Sequence, residues 1–228
     1  MIANNNLKIH HIKLFKILKT LSHKEYLHLI KFLKSPFFNY SLPNIHFCEA
    51  LKQHHPTFDN PKLTPENIWI KVFNDKPFVP QKFRQLCSDL ARLVEQFLIQ
   101  LELAASSEKS QNLLIQSLGK RNEHTLFKKA TKERLKAMDK KEILDASWFR
   151  ERIDLLETQY AHPLYNKLIN KDDLLIHLMD SVDAYFLFQK AKIGIGLINQ
   201  QRQFNTLYDI QFLDVLEKSK KNSILSEN

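Results

Sequence analysis

Three pairs of histidines, His10-His11, His23 with His28 and His54-His55, come nearest in this chain to a metal-binding arrangement. A helical ligand set needs rings one turn apart, as in His-Glu-x-x-His, and no two histidines here stand four residues apart. Adjacent histidines project about 100° apart on a helix, so a doublet turns its two rings away from one another. They read as exposed, titratable side chains. Ser35 stands before Pro36, but a nucleophile elbow needs flanking glycines and a nearby base, and neither is present. Gly194-Ile195-Gly196 is the sole G-x-G, with no strand before it and no third glycine, so it reads as close helix packing. No G-x-x-x-x-G-K-[ST] occurs. Of the paired acids, Asp172-Asp173 suits a helix N-terminus and Asp180 with Asp183 a solvated face. No catalytic residue, metal ligand, cofactor-binding residue or cofactor is therefore expected.

Lysine supplies the least ordinary pattern. Lys8, Lys13, Lys16 and Lys19 recur along one arc, and residues 1–34 hold seven lysines against Glu25 alone, a balance of +6 within a total of +9. Such a face is ordinarily solvated. It is also a candidate for anion or nucleic-acid contact, with an acidic protein or membrane surface as further alternatives. Phe15 and Tyr26 interleave with the lysines but belong to or border apolar stripes, which places them in the core.

The elements that must carry these residues are helical. Only three glycines occur in 228 residues, where average usage of roughly 7% would give about sixteen. Strand-rich folds need turn glycines, so the scarcity favours an all-α chain. Leu7 to Thr20 reads as an amphipathic helix. Ser22 with Glu25 forms a capping-box pattern opening a second helix through Lys34. Phe32-Leu33-Lys34-Ser35-Pro36-Phe37-Phe38-Asn39 must end it, because proline has no amide hydrogen and drives Ser35 out of the α region. Phe37 and Phe38 are expected to fold back on Phe32 and Leu33, and Asn39 to make a turn or cap. Further helices are expected from Pro43 to about His54, from Thr64-Pro65 through Phe73, from Pro80 to about Ala104, near 111–118, 122–138 and 140–160, over a long 171–199, and about 204–219. AASSEKS, 104–110, is the expected linker, Gly119 an expected C′ residue, and Asn170 with Asp172 and Asp173 an expected helix start. The helix pairs resemble a helical-repeat solenoid, although no fixed period names a repeat class.

The two cysteines, Cys48 and Cys87, are too few for a disulfide scaffold or a cysteine-rich zinc site, and read as reduced core residues of a cytoplasmic protein. The opening residues lack a signal-peptide pattern, and no run of about 18 apolar residues suggests a membrane span.

FLKSPFFN together with RQLCSDLARLVEQFL, 84–98, resembles a family of uncharacterised bacterial all-helical proteins. Phe32, Leu33, Ser35, Pro36, Phe38 and Asn39 match its FLxSPxFN element. Arg84, Leu86, Ser88, Asp89, Leu90, Leu93, Glu95, Phe97 and Leu98 match an RxLxSDLxxLxExFL helix. Residues 183–204 are similar to a weaker motif in which a small residue often stands near Gly194 to Gly196. The resemblance implies no activity and no site residues. It implies further tetratricopeptide-like helix pairs, so that this chain, ending in LEKSKKNSILSEN, would be a shortened member.

The reading is an all-α protein with an N-terminal helical domain over 1–104 and, over 105–228, antiparallel helix pairs of tetratricopeptide-like type. Its expected role is a non-catalytic scaffold or protein–protein interaction module with an unknown protein partner. The alternative is nucleic-acid binding through the basic helices of 1–34, or through a helix-turn-helix-like pair over 64–104. Against that pair stand its six-residue connection and the acids Glu95 and Glu102 on its second helix.

Overall fold

The structure is a computed structural model that describes residues 9–74, 76–142, 144–163 and 173–204. It is all-α, and no strand occurs among the described residues. Two compact units divide the chain, Met1–Ser107 and Glu108–Asn228.

In the first unit a short 3₁₀ turn, Ile9–His11, leads into α1 (Lys13–Leu18), followed by α2 (His23–Leu33), α3 (Leu42–Leu51), α4 (Pro65–Phe73) and α5 (Pro80–Ala105). The single helix expected over 7–20 is thus broken. Ile12 takes extended backbone (φ −72°, ψ 132°), and the redirected chain buries Ile9 together with Leu14 and Phe15. Leu7 and Lys8 lie outside the described residues.

α2 starts as its sequence dictates. The Ser22 hydroxyl accepts from the Glu25 amide at 3.2 Å, and the Ser22 amide donates to the Glu25 carboxylate at 2.7 Å. These bonds hold the exposed Glu25 carboxyl below its ordinary pKa, the Ser22 side chain contributing most. Thr64 caps α4 in the same way, accepting from the Asn67 amide at 3.2 Å, with Pro65 in the first turn.

The unit closes over one core. Leu14, Phe15 and Leu18 of α1, Leu29 and Leu33 of α2, Phe47 and Leu51 of α3, Ile68 of α4, and Phe83, Leu90 and Val94 of α5 are sealed from solvent. Two of its polar ring groups are satisfied by backbone carbonyls. The Tyr26 hydroxyl donates to the Cys48 carbonyl at 2.8 Å, and the Trp69 indole N–H to the Lys76 carbonyl at 3.1 Å.

The second unit holds α6 (Ser107–Lys120), α7 (His124–Asp139), α8 (Ala146–Tyr160) and α9 (Leu174–Phe204). AASSEKS is not the loop its composition suggests. Only Ser106 (φ −112°, ψ 97°) leaves the helical region. Ser107 starts α6 directly, with Glu108 in the first turn where a helix dipole favours an acid.

Gly119 also departs from expectation. The residue with left-handed backbone is Asn122 (φ 58°). The Glu123 amide donates to the Leu118 carbonyl and the Asn122 amide to the Gly119 carbonyl, both at 3.1 Å, the bond pattern of a Schellman cap. Gly119 lies one turn earlier, where an added Cβ would meet the Phe127 ring at 3.3 Å. Its role is close approach between α6 and α7.

α6, α7 and α8 run antiparallel in succession. Gly119 meets Phe127 and Asn112 meets Arg134 across the first pair. His124 meets His162 and Arg134 meets Glu151 across the second. Their core is Ile115, Phe127, Met138, Trp148 and Leu155, and the Trp148 indole N–H donates to the Met138 carbonyl at 3.0 Å. α9 packs on α8 through Phe188 and Phe149, ring centres 5.5 Å apart. α8 begins only at Ala146, capped by Asp145, six residues later than expected. Asn170, Asp172 and the helix expected over 204–219 lie outside the described residues. The Asp173 carbonyl accepts the His177 amide at 2.8 Å, at the start of α9.

Candidate functional site

The basic arc is the first candidate, and packing divides it. Lys13 reaches across to α5 and pairs with Glu95 at 2.6 Å. Lys19 lies 3.9 Å from Asp59. Lys16 is exposed and makes no ion pair among the described residues. The face that reads in sequence as a uniform lysine stripe is therefore interrupted by acids from elements distant in the chain.

Beside Lys13, between the start of α1 and α5, lies an open cleft of about 570 Å³ lined in part by Arg84, Gln85, Ser88, Asp89, Arg92 and Glu95. Its charges are largely matched. Arg92 pairs with Asp89 at 2.5 Å, and the Gln85 amide donates to the same carboxylate at 3.0 Å. Arg84, Ser88, Asp89 and Glu95, all motif residues by sequence, meet here at a surface of mixed charge, three cations against two acids.

The FLKSPFFN corner is the second candidate, and Asn39 organises it. Buried to 8% exposure, its amide nitrogen donates to the Leu33 carbonyl at 2.9 Å and to the Ser41 carbonyl at 3.0 Å. Its amide oxygen accepts from the Ser41 amide at 3.0 Å and from Asn44 at 3.4 Å. One side chain therefore ties the end of α2 to the start of α3. The Ser35 carbonyl accepts from the amides of both Phe38 and Asn39, at 3.1 Å each, closing the turn around exposed Pro36. Phe38 stacks on Phe32 with centroids 4.2 Å apart, as expected. Phe37 does not fold back: it touches Phe38 edge-on and remains 82% exposed. Phe38 is half-buried against Phe32, while Phe37 turns outward. Tyr40 and Leu42 are exposed beside it in sequence.

The histidine doublets do not converge. His54 meets Gln53, and burial, then Lys71, lowers its pKa. The His55 Nε2 donates to the Leu21 carbonyl at 2.9 Å, while its ring lies 4.6 Å from Tyr26. Its Nδ1 is buried without a partner among the described residues. His23 comes no closer to His55 than 6.4 Å between ring centres, and among the described residues no cluster of three metal-ligating side chains occurs.

A histidine pair that spacing conceals does meet in the second unit. His124 Nδ1 and His162 Nε2, from residues 38 apart, lie 3.2 Å from one another, and His162 stacks on Phe127 at 4.3 Å. In such a bond one ring nitrogen donates and the other accepts, which of them does so following from the tautomers. Burial, and then the His124 charge, lower the His162 pKa.

Both thiols are buried, and burial pushes each pKa up to about 12. They have no nucleophilic character at neutral pH.

The most unusual surface belongs to α9. Leu175, Met179, Val182, Phe186 and Ile193 are 44–60% exposed, although all are large and apolar. At 100° per residue they share one face, about a third of a turn round the helix from buried Leu174 and Ser181; off that face Ile176, Phe188 and Ile195 are exposed too. The two glycines separate here: Gly194 is buried, whereas Gly196 faces open space, with nothing within 4 Å of an added Cβ. The close packing expected of the G-x-G does not apply to Gly196. Asp180 and Asp183 are exposed, as their spacing suggests. The apolar stripe escapes a sequence reading because Leu174, Phe188 and Ile195 put apolar residues on the other side too, blurring any polar face. Its legible signal is the spacing of the exposed positions themselves.

No family model, curated protein or solved structure matches this chain. Among the described residues no helix is long and apolar enough to cross a membrane.

Proposed function

We propose that the chain is a non-catalytic interaction module, a helical scaffold of tetratricopeptide-like type in its second unit that binds protein through exposed apolar surface in the cytoplasm. The observation that carries this reading is the face of α9, where five large apolar side chains in register stand in solvent. Surface of that kind marks interaction sites in proteins that remain dispersed. Phe37, Tyr40 and Leu42 add a smaller exposed group at the first unit's corner. We place the chain with the uncharacterised bacterial family on its FLKSPFFN and SDLARLVEQFL residues.

The test is capture from native lysate on the immobilised full chain, with and without nuclease, beside Phe186→Asp and a Lys13→Glu/Lys16→Glu/Lys19→Glu variant. The reading expects a discrete protein that survives nuclease and moderate salt and is lost with Phe186→Asp. Nucleic acid retained at low salt, lost with the lysine variant and indifferent to Phe186→Asp, would replace it with the basic-face alternative.

A further inference from the structure

The exposed side chains of α9 have a register. Leu175, Met179, Val182, Phe186, Gln189, Ile193 and Gly196 follow one another at alternating steps of four and three residues. That is the seam of a two-helix coiled coil. We infer that this face pairs with the same face of a second copy of the chain, antiparallel, about a two-fold axis near residues 187–188. The inference rests on the interaction-module reading and names its partner.

Three observations select this occupant and this direction. The first is charge. Asp183 and Lys190 are both exposed and flank the stripe on the same side, one heptad apart. In an antiparallel pair each flank faces its own counterpart, so Asp183 of each copy lies beside Lys190 of the other and two ion pairs form. A parallel pair would instead face this flank with the opposite one, setting Asp183 beside Leu178 and Lys190 beside Tyr185, both uncharged, while that flank's one charge within α9, Lys192, falls beside Leu197. The second is shape. The same register sets Val182 opposite Ile193 and Met179 opposite Gly196. Gly196, with open space around it, then provides the hollow that a long flexible methionine fills. Phe186 meets Gln189, and Lys190 already lies 5.6 Å over the Phe186 ring, on the rim of that layer. The third is area. Five half-exposed side chains of this size offer roughly 500 Å² per copy, so a pair buries about 1,000 Å², enough for a specific but reversible contact.

The experiment measures the mass of the full chain by sedimentation across micromolar concentrations at low and moderate salt. The expected result is a concentration-dependent species of twice the 27.0 kDa chain mass. Asp183→Lys alone and Lys190→Asp alone should each weaken self-association about tenfold by opposing like charges. Mixing the two variants should restore pairing, because each then supplies the charge the other lacks. These side chains are exposed, so circular dichroism of each variant should match the parent.

A chain that stays monomeric at high micromolar concentration overturns the inference, as does a dimer indifferent to both charge variants and to Phe186→Asp. If the monomer still captures a protein that Phe186→Asp releases, self-pairing is overturned and the interaction-module reading stands. If it captures none, both fall.

Discussion

Asn39 makes its bonds to two carbonyls and one amide within 3.0 Å while nearly sealed from water. Asn39→Ala strands those backbone groups and should cost roughly 2–3 kcal/mol in chemical denaturation. Asn39→Asp tests the geometry more sharply. A carboxylate cannot donate, so it would face the Leu33 and Ser41 carbonyls with negative charge, and the loss should exceed that of alanine. His162 gives the residue scale its pH dependence. With a folded pKa below the ordinary histidine value, the folded chain takes up this proton less readily than the unfolded chain. Its contribution is present above about pH 6.5 and is lost as pH falls through that value toward the lowered folded pKa. Melting temperatures followed from pH 7.5 down to 5 should decline, by rough order of a few degrees. In His162→Phe, which keeps a ring against Phe127, the decline should be shallower.

Among elements, the contact between α7 and α8 carries the largest single liability. Arg134 is 3% exposed and its guanidinium pairs with Glu151 at 2.6 Å, with Asn112 of α6 at 3.3 Å from its Nε. Glu151→Ala leaves a buried cation unmatched and should cost about 3 kcal/mol, whereas Arg134→Met, keeping the apolar stem, should cost distinctly less. Thermal or urea unfolding of the two variants checks the order. Local rules made much of this level legible. Ser22 with Glu25, Thr64 with Pro65, and Pro36 each set a helix limit through one or two backbone hydrogen bonds or their absence. What escaped was decided by tertiary packing. Ile12 breaks α1 so that Ile9 can join the core, and Gly119 serves the Phe127 ring instead of a turn. Asn122 took the left-handed position that glycine was expected to hold, because asparagine tolerates it at a helix end.

At the scale of the whole molecule, charge and apolar surface tell different stories in sequence and in space. The lysine arc is contiguous along the chain, yet Glu95 and Asp59 meet it from other elements. The α9 stripe is diluted along the chain, yet becomes one face once the helix forms. Candidate surfaces are legible in sequence only where the residues that compensate them are also near in sequence, and here they are not. The thiols offer a check on the first unit as a body. Cys48 and Cys87, from α3 and α5, are buried in its core with pKa values near 12. Neither should react with an aromatic disulfide reagent at pH 8 until that core opens, and the two should then react together.

Each unit also contains a single tryptophan, its indole N–H held by a backbone carbonyl: Trp69 by Lys76, Trp148 by Met138. The chain therefore carries two built-in fluorophores, one per unit. With Trp148→Phe the emission comes from the first unit alone, and with Trp69→Phe from the second alone. Emission maxima recorded along a denaturant series would thus assign a separate midpoint to each unit, with no extrinsic label.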